Sequence, residues 1–300
     1  METEVKDRPR VGLVLSGGGA RGLAHIGVLK ALARNEVPID LVAGTSMGGL
    51  IAAVLAAGWE PGEMEAEAVR MRQLRRRVNL VDRAVPRTGL VQGRRVHDYL
   101  VEQLGDITFA ELRLPLALLA VDLVDGREVL LNDGSVVDAV RATISIPGVF
   151  APVRRDGQLL VDGGVLNNLP VDIACQMGAD VVIAVDVSRS SNHVLQSPAA
   201  GSSRLPIRDW ASGVASLQRS LELMMAHITR FRLENARPDV LIEPALPDNL
   251  TVLGGFGRVD EAIAAGEAAA EGQSAQIKAL CAPAGPGTSK PTQGKTAIET

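Results

Sequence analysis

Short apolar runs alternate with longer amphipathic stretches through the first sixty residues. The apolar runs cover Val11–Leu15 and residues 39–43, and helical patterns cover residues 23–34 and 47–57. Buried strands that alternate with helices are typical of βαβ units, in which parallel strands form one sheet and the helices cover its faces. The pattern therefore predicts an α/β protein with a mainly parallel central sheet flanked by helices.

The remaining sequence continues in the same manner without an internal repeat. We predict strands over residues 114–124, 127–131, 158–161, 181–187 and 240–242, a mostly helical stretch over 61–105, and helices over 136–144, 171–177, 210–235 and 257–280. Residues 188–203 are rich in Ser, Pro and Gly and are predicted to form a loop. We expect a short N-terminal extension over residues 1–8, one domain over 9–281, and a disordered polar tail over 282–300.

Two glycine-rich turns follow the first two predicted strands. The second turn has the spacing Gly44-x-Ser46-x-Gly48. In this pattern the glycines remove Cβ clashes, so that a serine hydroxyl is exposed on a strained strand-to-helix turn. The positive end of the following helix dipole favours negative charge on that oxygen. Ser46 is therefore a candidate nucleophile, although a simple helix cap would also place a serine here.

The first turn is compatible with two kinds of site. Gly17–Gly19, Arg21 and Gly22 lie between a strand and a helix, where bare backbone N–H groups suit an oxyanion. The same glycines match the dinucleotide-binding spacing G-x-G-x-x-G. A ribose-binding acid would be expected at the end of the second strand, whereas Asp40 lies near the start of that strand. We favour the oxyanion site and retain the dinucleotide site as an alternative.

A serine nucleophile also needs a base. The four histidines are His25, His97, His193 and His227. They lie in helical patterns or in the predicted polar loop, and none has a neighbouring carboxylate motif. Asp162 is a better candidate, because it ends an apolar strand and precedes Gly163 and Gly164, which allow close approach of a substrate or another backbone. Partial desolvation raises the pKa of a carboxylate enough for it to act as a base. The same Asp-Gly-Gly sequence would also fit an ordinary turn.

Taken in order, these motifs resemble those of the patatin-like phospholipases. Gly17-Gly18-Gly19-Ala20-Arg21-Gly22, Gly44-Thr45-Ser46-Met47-Gly48 and Asp162-Gly163-Gly164 carry the resemblance, and residues 142–150 and 162–171 extend it. The similarity covers about residues 9–275 and is closest to compact bacterial members related to the catalytic domain of neuropathy target esterase. It implies a single-domain, three-layer patatin-like fold with a mainly parallel sheet.

The resemblance also implies a Ser–Asp dyad that hydrolyses lipid esters. Ser46 would attack the ester carbonyl, and Asp162 would accept the serine proton and later activate the deacylating water. The oxyanion hole would be formed by the backbone N–H groups of Gly17, Gly18 and Gly19. Arg21 would tune that loop. The remaining motif glycines would support these turns: Gly22, Gly44, Gly48, Gly163 and Gly164. Fatty-acyl esters and (lyso)phospholipids are the implied substrates, and no metal or other cofactor is expected.

Composition limits the possible partners. The net charge is −4 and only 2% of the residues are aromatic, so there is little material for stacking on bases and nucleic acid is not an expected partner. Between Arg70 and Arg95 there are nine arginines and one acid, Asp82. Such a run is usually a solvated helical face, and its alternative role is a basic surface that contacts anionic lipid headgroups.

The charged N-terminus does not resemble a signal peptide, and the longest apolar helix is too short to span a bilayer. We therefore expect a cytoplasmic protein, and any access it has to lipid in membranes must be peripheral. Cys175 and Cys281 do not form a disulfide framework. The main prediction is a serine-dependent lipid acyl hydrolase. Its alternatives are a dinucleotide-dependent oxidoreductase and a non-catalytic lipid-binding adaptor.

Overall fold

The computed structural model describes residues 8–75, 92–188 and 210–283, apart from residues 249 and 253. The predicted N-terminal extension, the loop over 188–203 and the polar tail lie almost entirely outside these ranges, as do His193 and the centre of the arginine-rich run. The predicted domain boundaries therefore stay predictions.

The described residues form one eight-stranded mixed sheet. Its strands are β1 (Val11–Leu15), β2 (Leu41–Thr45), β3 (Leu116–Asp122), β4 (Arg127–Leu131), β5 (Val153–Arg155), β6 (Gln158–Asp162), β7 (Val181–Val185) and β8 (Val240–Ile242). Their order is β5-β6-β3-β2-β1-β7-β8, and β4 pairs with β3 outside this path. The pairs that link β3, β2, β1, β7 and β8 are parallel, whereas those made by β4, β5 and β6 are antiparallel. The predicted mainly parallel sheet is confirmed.

Helices cover both faces of this sheet. They are α1 (Ala24–Arg34), α2 (Ser46–Ala56), α3 (Pro61–Arg75), α4 (Arg94–Leu104), α5 (Val136–Thr143), α6 (Val171–Gln176), α7 (Trp210–Asn235), α8 (Val259–Glu271) and α9 (Ser274–Cys281). Alternate residues of β1 face different cores, because successive side chains of a strand point to opposite faces. Leu13 and Leu15 pack in the larger core with α1, α2 and α8, whereas Val14 packs in the smaller one with α6. The result is three layers.

Two predicted elements differ from the structure for local reasons. β2 begins at Leu41 and not at residue 39, because the Asp40 carboxylate accepts the N–H of Val11 at 2.7 Å and so occupies the first position of the ladder. The helix predicted over residues 257–280 is two helices, α8 and α9. The chain turns at Gly272–Gln273, and the Gln273 side chain donates to the carbonyl of Leu241 in β8 at 3.0 Å.

One strand was not predicted. β5 and β6 form a hairpin around Asp156 and Gly157, whose φ angles are 49° and 81°. Two consecutive positive φ angles are typical of the two-residue turns that join antiparallel strands, and Asp-Gly is a preferred sequence for them. Within the described ranges, no helix has both the length and the apolar character that crossing a membrane requires.

Candidate active site

Two strands end close together on one edge of β3. Thr45, the last residue of β2, pairs with Leu119, and Asp162, the last residue of β6, pairs with Ala120. β4 pairs with β3 over the same stretch, and each strand has only two edges, so β2 and β6 share the edge opposite to β4. Ser46 directly follows Thr45. The register of the sheet therefore brings Ser46 and Asp162 together.

Ser46 lies on the strained turn that its motif predicts. Its φ angle is 55°, in the left-handed region that a residue with a Cβ rarely adopts, and such a conformation costs on the order of 1 kcal/mol or more. The turn leaves no room for side chains at the two flanking glycines. A Cβ on Gly44 would lie 2.8 Å from the carbonyl oxygen of Gly48, and one on Gly48 would lie 2.3 Å from that of Leu15. The glycines are therefore required by close backbone contacts.

A buried threonine holds the turn in place. The backbone N–H of Ser46 donates to the hydroxyl of Thr143 at 2.9 Å, and that hydroxyl donates to the carbonyl of Leu119 at 2.5 Å. Thr143 is the last residue of α5 and is fully buried. It thus ties the start of α2 to β3, next to the position where Asp162 pairs with that strand.

Asp162 is a buried carboxylate with a raised pKa. Burial raises its pKa from 3.8 to about 6, against the opposing effect of hydrogen bonds from the Ser46 side chain and the Gly164 backbone. The N–H of Gly164 donates to its Oδ1 at 2.9 Å. Gly163 passes close to β3, since a Cβ there would lie 2.4 Å from the carbonyl oxygen of Leu119. Gly163 therefore allows the chain after Asp162 to pass directly against β3.

The first glycine-rich turn lies beside this pair. A Cβ on Gly17 would lie 2.9 Å from the Cβ of Ser46 and 2.4 Å from Oδ1 of Asn168. The N–H of Gly17 is not available to a substrate, because it donates to the carbonyl of Asn168 at 3.1 Å. The N–H groups of Gly18 and Gly19 have no acceptor among the described residues. Of the three predicted amide donors, these two are therefore open.

Arg21 fixes the direction of one of these open amides. Its buried side chain donates from Nε to the carbonyl of Gly18 at 3.3 Å, and Nη2 contacts Glu222 of α7 at 3.4 Å. In a trans peptide the carbonyl and the following N–H point in opposite directions. Holding the Gly18 carbonyl therefore directs the N–H of Gly19 away from Arg21.

The loop also fits tightly against its surroundings. Gly19 has a φ angle of 58°, and a Cβ there would lie 1.9 Å from the carbonyl oxygen of Val252. A Cβ on Gly22 would lie 2.3 Å from the Cγ of Met47. Both positions exclude other residues, which explains the number of glycines in this short segment.

The described histidines are not placed to assist Ser46. His25 is buried, its Nε2 hydrogen-bonds the carbonyl of Ser16 at 2.9 Å, and burial lowers its pKa to about 4. His97 lies 3.3 Å from Asp138 at the protein surface, and His227 is exposed on α7. Asp162 is thus the titratable group whose carboxylate interacts with the Ser46 side chain.

The geometry around Asp40 argues against the dinucleotide alternative. Asp40 precedes β2, and its carboxylate accepts hydrogen bonds from Arg8 at 2.7 and 2.8 Å and from the N–H of Val11. It therefore lies at the opposite end of β2 from Ser46 and its hydrogen-bonding capacity is already used. No acid takes the position at the end of β2 where ribose recognition would require one, because Thr45 ends this strand.

Two cavities meet at Ser46. The smaller, of about 60 Å³, is lined by Asp162, Asn168 and Gly17–Gly19, and by Glu222 and Met225 of α7. The larger, of about 460 Å³, has a mostly apolar lining from α2, α3 and α4. Gly19, Ser46, Ile146 and Val252 line both. Ser46 thus borders both a small chamber and a larger, mostly apolar cavity.

Several supporting residues were not identified from the sequence. Thr143 and Asn168 act through hydrogen bonds to backbone groups of distant turns, which a local pattern does not reveal. Arg141 donates to the Ser145 hydroxyl at 2.6 Å, and the carbonyl of Ser145 accepts the N–H of Asp162 at 3.0 Å. All three residues fall within the stretches 142–150 and 162–171 or next to them. That proximity was the only available signal.

Comparison with known proteins agrees with this architecture. The family model described as patatin-like phospholipase matches residues 13–175, more than half of the chain. An uncharacterised NTE family protein of Mycobacterium tuberculosis is 42% identical over 182 residues, which cover 60% of this chain and 30% of the relative. Another from the same species is 38% identical over 184 residues, covering 61% and 50%. Neuropathy target esterase sws of Drosophila melanogaster is 35% identical over 181 residues, covering 59% and 13%.

The chain thus matches half or less of the length of these relatives. Among solved structures, VipD from Legionella pneumophila matches with a TM-score of 0.50 at 14% identity, over 92% of this chain and 69% of that one. This likeness concerns the fold alone. Together with the match over residues 13–175, it agrees with the three-layer architecture described above. The chain belongs to the patatin-like phospholipase family.

Proposed function

We propose that this protein hydrolyses fatty-acyl esters of lipids through Ser46 and Asp162. The observation that carries the proposal is a strained serine whose side chain interacts with a buried carboxylate, beside two open backbone amides and at the junction of two cavities. These parts supply a nucleophile, a base and oxyanion donors, which are what acyl transfer to water requires.

In the first half-reaction the Ser46 Oγ attacks the carbonyl carbon and its proton passes to Asp162. The N–H groups of Gly18 and Gly19 stabilise the negative oxygen of the tetrahedral intermediate, and Arg21 keeps the Gly19 amide oriented. The C–O bond to the alcohol then breaks, and the alcohol leaves with the proton from Asp162. In the second half-reaction Asp162 takes a proton from water, and the water oxygen attacks the acyl carbon. The bond between that carbon and the Ser46 Oγ then breaks, the proton passes from Asp162 to Oγ, and the fatty acid leaves.

The raised pKa of Asp162 suits this role. A pKa of about 6 leaves the carboxylate mostly ionised at neutral pH, so that it can accept a proton. A base whose pKa lies near the working pH also returns the proton readily to the leaving alcohol. Burial therefore supports both halves of the proton transfer.

The apolar cavity is the proposed site of the acyl chain. Met47, Leu50, Ile51 and Val54 of α2 line it at spacings of three and four residues, which places them on one helical face. From Ser46 to Val54 this face extends for about 12 Å, at 1.5 Å per residue. The smaller chamber, with Asn168 and Glu222, would then receive the leaving alcohol.

Active-site labelling tests the proposal directly. A fluorophosphonate probe is expected to label the wild-type protein at Ser46, and Ser46→Ala to remove both labelling and turnover of p-nitrophenyl butyrate. Ser220→Ala is the matched control, because this serine is exposed on α7 and its hydroxyl bonds the Ser216 carbonyl. Hydrolysis that persists in Ser46→Ala would refute the assignment of the nucleophile.

Two further measurements separate the alternatives. A non-catalytic adaptor would bind lipid but release no fatty acid or lysolipid from a mixed lipid extract, as measured by mass spectrometry. A dinucleotide enzyme would bind NAD(P) saturably in the micromolar range. For the hydrolase, the extract should yield free fatty acids in the wild type and none with Ser46→Ala.

Peripheral membrane contact through the region Arg70–Arg95 stays part of the proposal. Its centre lies outside the described residues, and of its flanks Arg70 pairs with Glu67 and Arg72 with Asp260. Co-sedimentation with phosphatidylglycerol vesicles, compared with phosphatidylcholine vesicles, tests the idea. Binding that requires the anionic lipid and weakens with salt supports it, whereas equal recovery with both vesicles contradicts it.

A further inference from the structure

A polar contact joins two of the helices that line the apolar cavity. The hydroxyl of Tyr99 on α4 donates a hydrogen bond to Oε1 of Glu67 on α3, and both residues line the cavity. Arg70 donates to the same carboxylate from Nε at 2.6 Å and from Nη2 at 3.0 Å. Burial and the neighbouring carboxylate raise the pKa of Tyr99, so its hydroxyl keeps the donated proton at neutral pH. We call the Tyr99–Glu67 contact the α3–α4 bridge.

The two helices that it joins otherwise pack against different parts of the protein. α3 packs on α1 and α8, and Arg72 pairs with Asp260 at the start of α8. α4 packs on α5, where a Cβ on Gly93 would meet the Arg141 side chain and His97 faces Asp138. The Tyr99 hydroxyl joins α4 to α3 through Glu67, and it also interacts with Arg70 of α3.

The α3–α4 bridge joins the central turns of the two helices. α3 begins beside the end of α2. Near its other end, Arg72 pairs with Asp260, which follows the segment that contains Val252. Because Val252 lies against Gly19, this end of α3 lies on the oxyanion side of the site. α4 runs the other way. It begins beside Arg141 near the catalytic pair, and the segment after it returns to the end of α2, where the N–H of Arg113 donates to the carbonyl of Ala56.

The central positions of two antiparallel helices therefore face each other across the lumen. Val54, Trp59, Met64 and Leu104 line the cavity near the end of α2, the start of α3 and the end of α4. A straight acyl chain that starts at Ser46 must pass the α3–α4 bridge to fill that part. A thicker chain would have to separate α3 from α4 and break the contacts that the Tyr99 hydroxyl makes with Glu67 and Arg70.

We infer that the Tyr99–Glu67 hydrogen bond fixes the distance between α3 and α4 and thereby restricts the cavity to unbranched acyl chains. This inference rests on the proposed function, since it assigns the cavity to the acyl group. A methyl-branched chain is admitted only when the hydrogen bond breaks. Because a hydrogen bond to a charged group contributes roughly 1.5 kcal/mol or more, the wild type should disfavour such a chain by about tenfold relative to a protein without the bond.

Binding measurements test this without turnover. In the Ser46→Ala protein, the dissociation constants of palmitate and of phytanate, its tetramethyl-branched counterpart, are measured through the fluorescence of Trp59, which lines the cavity. Adding Tyr99→Phe removes the hydroxyl and keeps the ring. The preference for palmitate over phytanate should fall by about tenfold with Tyr99→Phe, and by at least as much with Tyr99→Ala.

Glu102→Gln is the matched control, since this acid is exposed on α4 and does not line the cavity. The ratio of its dissociation constants for phytanate and palmitate should stay within twofold of the ratio for the Ser46→Ala protein. A preference that changes by less than twofold in Tyr99→Phe would overturn the inference, even where both fatty acids bind. The hydrolase proposal fails on a different result, namely wild-type protein that turns over no ester and is not labelled at Ser46.

Discussion

Replacing Asp162 with Asn should make the protein more stable at neutral pH while it abolishes hydrolysis. Asn has the shape of Asp, and its Oδ1 can still accept the N–H of Gly164. It carries no charge, so it avoids the desolvation that raises the pKa of Asp162 to about 6. It also cannot accept the proton of Ser46. The substitution therefore separates the catalytic value of the carboxylate from its effect on folding.

The size of the effect follows from the pKa. Folding raises the pKa of Asp162 from 3.8 to about 6, so between these values the folded state binds a proton more tightly than the unfolded state. Stability is then greatest below pH 3.8 and falls as the pH rises through this window, until the full cost is reached above about pH 6. At roughly 1.4 kcal/mol per pH unit, that cost is about 3 kcal/mol.

The assay is urea denaturation of the wild type and Asp162→Asn between pH 4 and pH 8. The difference in free energy of unfolding between the two proteins cancels the contributions of the other titrating groups. The free energy of unfolding of the variant should exceed that of the wild type by about 3 kcal/mol at pH 8, and the difference should shrink towards pH 4. A difference that does not vary with pH, or a variant that is less stable at pH 8, would refute the argument that burial alone raises this pKa.

Three further outcomes are expected with p-nitrophenyl butyrate as substrate. The value of kcat/KM should rise about tenfold per pH unit below a midpoint near pH 6 and level off above it, because Asp162 must be ionised; a flat profile from pH 5 to 8 would exclude it as the base. Thr143→Val should lower the free energy of unfolding by about 2 kcal/mol and kcat by about tenfold, since it leaves the Ser46 N–H and the Leu119 carbonyl without a partner; unchanged urea midpoints would contradict this. Arg21→Met should lower kcat by about tenfold with little change in KM, because it frees the peptide that orients the Gly19 amide, and a change in KM alone would contradict that role.

Much of the fold was predictable because its signals are local. Buried parallel strands are short and continuously apolar, as in β1 and β7, and the helices between them show clear periodicity. The errors occur where a side chain competes with the backbone. Asp40 takes the N–H of Val11 and delays β2, and Gln273 bonds β8 and divides the last predicted helix. Neither contact is visible in a local window, because each partner lies about thirty residues away.

The candidate site was predictable to a different degree for each part. Ser46 and the glycines follow from local geometry, since only a positive φ and close backbone contacts demand such a sequence. The sequence does not show which of the backbone N–H groups are open to a substrate. Gly17 looks equivalent to Gly18 in the sequence, yet its N–H is taken by the carbonyl of Asn168 in another part of the chain. The sequence did not indicate a role for Tyr99 and Glu67 either, because their proposed role depends on two helices that face each other across a cavity.

The meeting of Ser46 and Asp162 depends on the antiparallel addition to the sheet. In a sheet made only of parallel strands, the carboxyl ends of neighbouring strands lie side by side, about one strand spacing apart. Here β6 runs against β3 and approaches the end of β2 along the same edge, so their last residues pair with consecutive residues of β3. Shifting β6 by one residue would turn the Asp162 side chain to the opposite face of the sheet. The hydrogen bond between β6 and Ser145, and the close contact of Gly163 with Leu119, hold the register that the catalytic proposal requires.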